Sequence, residues 1–277
     1  MSLRALIFDV DGTLADTEEA HRQAFNGAFA QGGLSWYWTE ARYLELLRVT
    51  GGKERLAAFI ATLDLDAAER ERHLAAIPAL HRAKTDYYAG LVATGRVALR
   101  PGIARLVADA RAAGLKLAIA TTTTLDNVHA LLRGTLGAGS FGWFDAVGAG
   151  DDVPRKKPAP DVYHYVLDVL GLEARECVAF EDSAAGLAAA RDAGLTTVVT
   201  PCQWTGHQDS GDADLLLPHL GDGLNPLPAD AGLPRAATRL ELAHLEALLE
   251  RRAARDGASS RPRARRRGDM NEGVRPC

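Results

Sequence analysis

Cysteine is scarce in this 277-residue sequence, and the three that occur, Cys177, Cys202 and Cys277, are widely and irregularly spaced. Such spacing fits neither a disulfide framework nor a zinc site built from paired thiols, and it indicates a reducing compartment. Apolar runs of the roughly 18 to 20 residues needed for a membrane-spanning helix are also missing. The apolar stretch at the N-terminus ends at Asp9 and is too short to form a signal peptide. We therefore expect a cytoplasmic monomer with no membrane partner.

Basic residues are fewer than acidic ones: the whole sequence has 32 lysines and arginines against 36 aspartates and glutamates. Binding to a phosphate backbone needs a basic surface, so nucleic acid is not expected to be the main partner. The exception is residues 251–277, where nine arginines face three acidic side chains. With few apolar residues to pack, residues 253–277 are predicted to form a disordered Arg-rich tail. A solvated tail is favoured over one that binds nucleic acid or a membrane surface.

Short apolar runs alternate with amphipathic stretches along most of the sequence. The apolar runs are bounded by glycine or polar residues, as expected for strands buried in the centre of a sheet. They are residues 3–8, 115–120, 144–149, 176–180 and 195–200, and helical patterns cover residues 103–113, 126–132, 161–170 and 184–193. This alternation predicts an α/β fold with a Rossmann-like parallel sheet that is covered by helices on both faces.

One segment interrupts this alternation. Residues 17–98 contain no convincing strand and only amphipathic helical patterns, so we predict a helical cap domain inserted after the first strand. The α/β core would then consist of residues 1–16 and 99–230. Beyond it, regularly spaced leucines predict an amphipathic C-terminal helix within residues 231–252, which we expect to pack against the body of the protein and not against a partner.

The clearest chemical signal is Asp9-Val-Asp11-Gly12-Thr13, which directly follows the first predicted strand. Open parallel sheets bind ligands beyond the carboxyl ends of their strands. Two neighbouring carboxylates repel each other, so a proton or a cation must offset their charge, and Mg²⁺ suits oxygen ligands and phosphate partners. Gly12 allows a sharp turn, and the Thr13 hydroxyl can contact a bound anion. A plain Asp-Gly turn without a ligand is the alternative.

Three further predicted strands end in polar residues of matching chemistry. Thr121 follows the second strand, Lys157 lies in a proline-stiffened loop after the third, and Glu181 and Asp182 follow the fourth. Each also has a simpler explanation: a strand-forming or helix-capping threonine, a solvated basic loop, or carboxylates that stabilise a helix N-terminus. The sequence has no glycine-rich nucleotide-binding motif after its first strand.

Taken in order, Asp9-x-Asp11-Gly-Thr, Thr121, Lys157 and Glu181-Asp182 resemble the four motifs of the haloacid dehalogenase superfamily of phosphatases. The resemblance covers about residues 3–220, and the helical insert is similar to that superfamily's mobile cap. Four other segments resemble the CbbY-type sugar bisphosphatases, which dephosphorylate xylulose 1,5-bisphosphate, an inhibitor of the CO₂-fixing enzyme Rubisco. These segments are Asp16-Thr17-Glu18-x-x-His21, Thr50-Gly-Gly-Lys53-Glu-Arg55, His81-Arg-Ala-Lys84-Thr and Leu99-Arg-Pro-Gly102.

This resemblance implies a catalytic role for each acidic motif. Asp9 would attack phosphorus and form an aspartyl-phosphate, which splits one difficult hydrolysis into two easier steps. Asp11 would act as the general acid in the first step and as the general base in the second. Mg²⁺ would be the cofactor, bound by the side chains of Asp9 and Asp182 and by the backbone carbonyl of Asp11.

The resemblance also implies a set of phosphate-binding residues. Lys157 and Thr121 would surround the transferred oxygens, with Thr13 and Thr122 beside them. Glu181 would orient Lys157 or a metal-bound water. The substrate is therefore expected to be a small phosphorylated sugar, most specifically xylulose 1,5-bisphosphate.

The cap would exclude water and recognise the substrate beyond its reacting phosphate. Because a bisphosphate carries a second dianion, the cap should supply cations. Lys53 and Arg55, expected in a glycine-rich turn ahead of a helix, are the first candidates, followed by Arg22, Lys84 and Arg100. For each of them, a solvated helix face is the alternative.

Two residues near the start of the insert complete the predicted site. Glu18 is assigned to substrate binding. His21 is predicted to hydrogen-bond Asp11 and to hold it away until the cap closes, with an ordinary, partly exposed helix histidine as the alternative.

Three other functions stay open from the sequence. A β-phosphoglucomutase-like enzyme would use Asp9 and Asp11 in the same way but transfer the phosphoryl group to a second sugar hydroxyl. A phosphonate hydrolase would use Lys53 as a Schiff-base residue, although Asp11 argues against that family. A non-enzymatic phosphate-sensing or tail-mediated binding protein is disfavoured, because a binder has little need for a nucleophile beside an acid.

Overall fold

A parallel sheet of six strands lies at the centre of the computed structural model, which describes residues 2–233 and 237–259. The strands are β1 (Ala5–Phe8), β2 (Lys116–Ala120), β3 (Ala146–Gly148), β4 (Cys177–Glu181), β5 (Thr196–Val199) and β6 (Leu215–Leu216). Their order across the sheet is β3-β2-β1-β4-β5-β6. The predicted α/β fold with a parallel sheet is confirmed. The strand β6 was not predicted, because two residues are too few to show a strand pattern.

Four helices occupy the connection between β1 and β2. They are α1 (Glu18–Gln31), α2 (Glu40–Leu46), α3 (Gly52–Ala61) and α4 (Ala67–Ala93). An aromatic group that we call the cap cluster is buried among them, and it consists of Phe25, Phe29, Trp38, Tyr43 and Phe59. We call this helical unit the cap.

The start of α3 differs from the expectation. The helix begins at Gly52, so Lys53 and Arg55 lie in its first turn and not, as expected, in a turn ahead of a helix. The buried residues Leu56, Phe59 and Ile60 show the helical spacing that identifies this segment.

Helices cover both faces of the sheet. Leu6 and Phe8 of β1 point into one apolar cluster, and Ala5 and Ile7 into the other. Helices α5 (Ile103–Ala112) and α6 (Leu125–Thr135) pack into the first cluster, and α7 (Asp161–Leu170) and α8 (Ala184–Asp192) into the second. Short 3-10 turns cover Ser140–Trp143 and Ala174–Glu176. Across the described residues, no helix combines the length and the apolar character that crossing a membrane would require.

The register of the sheet aligns the carboxyl ends of β1, β2 and β4. Phe8 lies opposite Ile119 of β2 and Phe180 of β4, and the rings of Phe8 and Phe180 stack with their centroids 4.7 Å apart. The next residue, Asp9, donates its backbone N–H to the Phe180 carbonyl at 3.0 Å. This alignment places the residues that follow the three strands side by side at one edge.

The last helix, α9 (Leu242–Ser259), is longer than the sequence predicted. Its leucines pack into the first apolar cluster, as expected. The prediction of disorder from residue 253 onward is wrong for residues 253–259, which are helical. Two arginines of this helix bind one half-buried carboxylate: Arg252 and Arg255 each donate to Asp214 at 2.8 Å. Composition does not reveal such a partner. The rest of the predicted tail, residues 260–277, lies outside the described residues.

Candidate active site

Three carboxylates meet at the carboxyl edge of the sheet. Asp9 follows β1, while Glu181 ends β4 and Asp182 follows it; all three are buried. One oxygen from each lies within 4.8 Å of the others, and we call this group the carboxylate cluster. Residues more than 170 positions apart in the sequence therefore form one acidic site, because parallel strands bring their carboxyl ends together.

Lys157 is the cation of this cluster. Its Nζ donates to Asp9 Oδ1 at 2.7 Å, to Glu181 Oε1 at 2.6 Å and to the Ala120 carbonyl at 2.8 Å. An ammonium group has three donors, so these contacts use all of them. Burial alone would lower the pKa of Lys157, but Asp9 and Glu181 outweigh it and raise that pKa. Lys157 is therefore a fixed positive charge.

The single positive charge of Lys157 does not neutralise the three carboxyl groups of the carboxylate cluster. Burial raises the pKa of Asp9 to about 7, even though Lys157 acts to lower it. Burial, together with repulsion from Asp9 and Glu181, raises the pKa of Asp182 well above its ordinary value. A further positive charge is needed to keep these buried carboxyl groups ionised. Oxygen donors are those that Mg²⁺ prefers, so the residues present fit a magnesium ion.

Glu181 is held by contacts on both of its oxygens. Its Oε1 accepts hydrogen bonds from Lys157 and from the Tyr163 hydroxyl. Its other oxygen lies against Gly186 of α8, where a Cβ atom would stand 1.9 Å away. Glu181 thus contacts Lys157, one of the two partners expected for it, the other being a metal-bound water.

Asp11 is held separately from the carboxylate cluster. Its Oδ1 accepts from the Thr17 hydroxyl at 2.6 Å and contacts His21 Nε2 at 2.8 Å. Burial would raise the pKa of Asp11, but His21 and Thr17 lower it well below its ordinary value. Burial therefore favours the protonated form of Asp9 until a further positive charge is present, whereas His21 and Thr17 keep Asp11 ionised.

A cap lysine continues this chain of contacts. Lys84 of α4 is buried, and its Nζ lies 2.8 Å from His21 Nδ1. An ammonium can only donate, so Nδ1 accepts and the ring proton sits on Nε2, facing Asp11. Burial lowers the pKa of Lys84 to about 8. His21 is itself buried, and the expected contact with Asp11 is present.

A cleft of about 470 Å³ lies between the carboxylate cluster and the cap. Most of the predicted site residues line it. From the core they are Asp9, Asp11, Thr122, Lys157 and Asp182, and from the cap Glu18, His21, Lys53, Arg55 and Lys84.

Two ion pairs cross the mouth of this cleft. Lys53 of the cap pairs with Asp151 of the core at 3.0 Å, and Lys156 of the core pairs with Glu54 of the cap at 2.8 Å. Deeper in the cap, Arg55 donates to the Tyr43 hydroxyl at 3.0 Å, and that hydroxyl donates to Glu18 at 2.7 Å.

The prediction that Arg100 is a substrate-binding cation is wrong. Its buried guanidinium donates to the backbone carbonyls of Gly12 and Thr200, and to those of Pro201 and Pro218 at 2.9 Å. It lies outside the cleft lining. Turns that present carbonyl oxygens inward are not visible in a sequence, so a structural arginine is easily mistaken for a ligand.

Four other candidates also lie outside the cleft lining: Glu181, whose contacts are given above, and three more. Arg22 is buried and bound to Glu19 and to the Trp38 carbonyl. Thr121 is buried, and its Oγ1 accepts from the Thr123 backbone at 3.2 Å. The Thr13 hydroxyl is buried without a hydrogen-bond partner among the described residues.

His81 also lines the cleft, although it was not among the predicted site residues. Its Nε2 lies so close to Gly52 that a Cβ there would be 2.6 Å away. Burial, followed by the charge of Lys84, lowers the pKa of His81 to about 4. The available signal was its position three residues before Lys84, which puts both side chains on one face of α4.

Comparison with known proteins agrees with this geometry. The haloacid dehalogenase-like hydrolase family matches residues 3–194. Protein CbbY from a Cupriavidus necator plasmid is 52% identical over 246 residues, which are 88% of this chain and 96% of that protein.

Two solved structures of CbbY from Rhodobacter sphaeroides are also similar. One, in complex with phosphate, has a TM-score of 0.74 and 48% identity and covers 78% of this chain and 94% of that one. The other, a variant in complex with xylulose 1,5-bisphosphate, has a TM-score of 0.73 and 46% identity over the same shares. These matches confirm the resemblance drawn from the motifs and the prediction of an enzyme. The chain belongs to the haloacid dehalogenase-like hydrolases, and within that family it is a phosphatase similar to the CbbY proteins.

Proposed function

We propose that this protein is a Mg²⁺-dependent phosphatase that removes a phosphate from xylulose 1,5-bisphosphate through an aspartyl-phosphate on Asp9. The observation that carries the proposal is one cleft that brings Asp9, Lys157 and Asp182 together with Asp11, below a cap that supplies cations. The complex of its relative from Rhodobacter sphaeroides with this bisphosphate supports the choice of substrate.

The first step would form a bond between a carboxylate oxygen of Asp9 and phosphorus, while the bond from phosphorus to the sugar oxygen breaks. Asp11 would give its proton to that sugar oxygen. A water molecule would then attack phosphorus, Asp11 would take a proton from it, and the bond to Asp9 would break to release inorganic phosphate. Lys157, fixed by Asp9, Glu181 and the Ala120 carbonyl, would hold positive charge beside the reacting group throughout.

The side chains of Asp9 and Asp182 and the backbone carbonyl of Asp11 would hold the magnesium ion. When bound, the ion would supply positive charge that offsets the carboxylates and the phosphate. In the described arrangement Thr17 and His21 keep Asp11 ionised and bonded to the start of α1. To act as an acid, Asp11 must take up a proton and leave His21, which fits the hypothesis that His21 restrains it until the cap closes.

The cap would recognise the second phosphate. Lys53, Arg55 and Lys84 all line its side of the cleft. Lys53 is the one whose pairing is most easily exchanged, because its Asp151 partner is exposed to solvent. A second phosphate dianion would compete with Asp151 for this ammonium group.

A phosphate-release screen tests the proposal. Purified protein with Mg²⁺ would be assayed against phosphorylated sugars that include xylulose and ribulose 1,5-bisphosphates, with Asp9→Asn as the blank. We expect preference for xylulose 1,5-bisphosphate and loss of release when the metal is chelated. Release no greater than that of the Asp9→Asn protein would overturn the phosphatase proposal. Preference for another sugar would overturn the substrate alone.

The same preparation distinguishes the mutase hypothesis. Incubation with a sugar monophosphate and a catalytic amount of its bisphosphate would give isomerised sugar phosphate without free phosphate if the enzyme were a mutase. We expect free phosphate. The cytoplasmic, monomeric state inferred from the sequence stays a prediction, and cell fractionation and gel filtration would examine it.

A further inference from the structure

A core loop of residues 201–208, which we call the Thr205 loop, touches the proposed metal site. Thr205 is buried, and its Oγ1 donates to Asp182 Oδ2 at 3.0 Å. The same Oγ1 accepts from the Cys202 backbone N–H at 3.0 Å. A hydroxyl that accepts from one fixed group and donates to another has its orientation determined by both.

The Oδ2 atom of Asp182 is enclosed on several sides. Cys202 Sγ lies 3.4 Å from it, and a Cβ atom added to Gly12 would be 2.1 Å away. The Gln208 side chain of the same loop accepts from the Ala184 backbone N–H at 2.8 Å, just beyond Asp182. With Oδ2 occupied in this way, Oδ1 is the oxygen left for an ion.

The Thr205 loop also reaches the cap. Trp204 is buried with the cap cluster, and its ring meets Tyr43 edge-on at 5.6 Å between centroids. Tyr43 in turn donates to Glu18, which lines the cleft. Adjacent residues of one loop thus contact the cap cluster and the carboxylate cluster.

We propose that Thr205 positions Asp182 for the magnesium ion, and that Trp204 ties this positioning to the docking of the cap. The inference rests on the proposed Mg²⁺ dependence. A neutral hydrogen-bond donor to a ligating carboxylate fixes its orientation, and loss of such a group typically weakens metal binding by about 10–100-fold. If the cap lost its contact with Trp204, the Thr205 loop would lose its attachment to the cap cluster.

Calorimetric titration of Mg²⁺ into the substrate-free protein tests the positioning. We expect Thr205→Val to bind Mg²⁺ at least about tenfold more weakly, because it keeps the shape and loses the donor. Thr205→Ser, which restores the hydroxyl, should bind close to the wild type. Thr197→Val is the matched control, since it removes a buried hydroxyl of β5 that bonds the Leu195 carbonyl. If Thr205→Val fails to fold, Thr205→Ala takes its place.

The coupling to the cap is tested by Trp204→Ala against Trp36→Ala. Trp36 packs against the cap cluster but belongs to no core loop. We expect Trp204→Ala to weaken Mg²⁺ binding severalfold and Trp36→Ala to leave it unchanged.

A Mg²⁺ affinity of Thr205→Val equal to that of the wild type would overturn the positioning of Asp182 by Thr205. Equal Mg²⁺ affinities of Trp204→Ala and Trp36→Ala would overturn the coupling between the cap and the metal site. Failure of the wild-type protein to bind Mg²⁺ would instead overturn the metal dependence of the proposed function.

Discussion

Two lysines face the same cleft and are held in opposite ways. Lys157 of the core has a side chain only 5% exposed and donates three hydrogen bonds within the protein. Lys53 of the cap has a side chain 42% exposed and pairs with Asp151, whose side chain is 58% exposed. Breaking a buried ion pair is costly, whereas an exposed pair contributes about 0–1 kcal/mol. The core therefore fixes its charge for chemistry, and the cap keeps its charge free to change partner.

The largest effect is expected for Lys157→Met. The substitution leaves Asp9 and Glu181 buried without their cation, so we expect kcat/KM to fall about 10³-fold and the free energy of unfolding to drop by about 3–5 kcal/mol. The matched control is Lys156→Met, whose partner Glu54 is partly exposed, with an expected stability change below about 1 kcal/mol. Urea unfolding and steady-state kinetics measure both. Equal losses of stability in the two variants would show that the buried ion pair of Lys157 contributes no more than the pair of Lys156 with Glu54.

The substitution Asp11→Asn should remove the general acid without changing Mg²⁺ binding. We expect kcat to fall by about 10²–10⁴-fold because the general acid and base is lost. Mg²⁺ affinity should hold, since the Asp11 side chain lies outside the carboxylate cluster. Asp16→Asn, at an exposed neighbour paired with Arg100, is expected to retain kcat. Calorimetry that showed lost Mg²⁺ binding in Asp11→Asn would place this carboxylate on the metal.

Site residues that follow the strands of the sheet were more predictable than residues held by turns and loops. Strand ends of a parallel sheet converge at one edge, so Asp9, Lys157 and Asp182 could be placed together from their positions after apolar runs. Arg100 was misassigned, because the carbonyl oxygens that bind it come from turns without a sequence signature. Thr205 was missed, because a threonine 23 residues from its carboxylate partner carries no charge pattern to draw attention to it.

Two glycines, one in a core helix and one in a cap helix, differ in how tightly they are packed. Gly186 of α8 lies against Glu181, and a Cβ there would be 1.9 Å from its Oε2. We expect Gly186→Ala to lower the free energy of unfolding by about 1–3 kcal/mol. Gly90 of α4 has open space around it, so Gly90→Ala should stabilise by about 0.5–1 kcal/mol through helix propensity. Thermal unfolding would detect the opposite signs, and stabilisation by both substitutions would show that Glu181 is free to move.

The smallest effect on stability is expected for Lys53→Gln. Its exposed pair with Asp151 contributes less than about 1 kcal/mol, so the melting temperature should barely change. If the ammonium group changes partner from Asp151 to a second phosphate, KM for xylulose 1,5-bisphosphate should rise while KM for a sugar monophosphate stays constant. Arg42→Gln, which removes an exposed pair with Glu45 within α2, is the control and should leave both KM values unchanged. An equal rise in KM for both substrates in Lys53→Gln would mean that Lys53 contacts the reacting phosphate. The cap would then supply charge to the reacting group, as Lys157 of the core does.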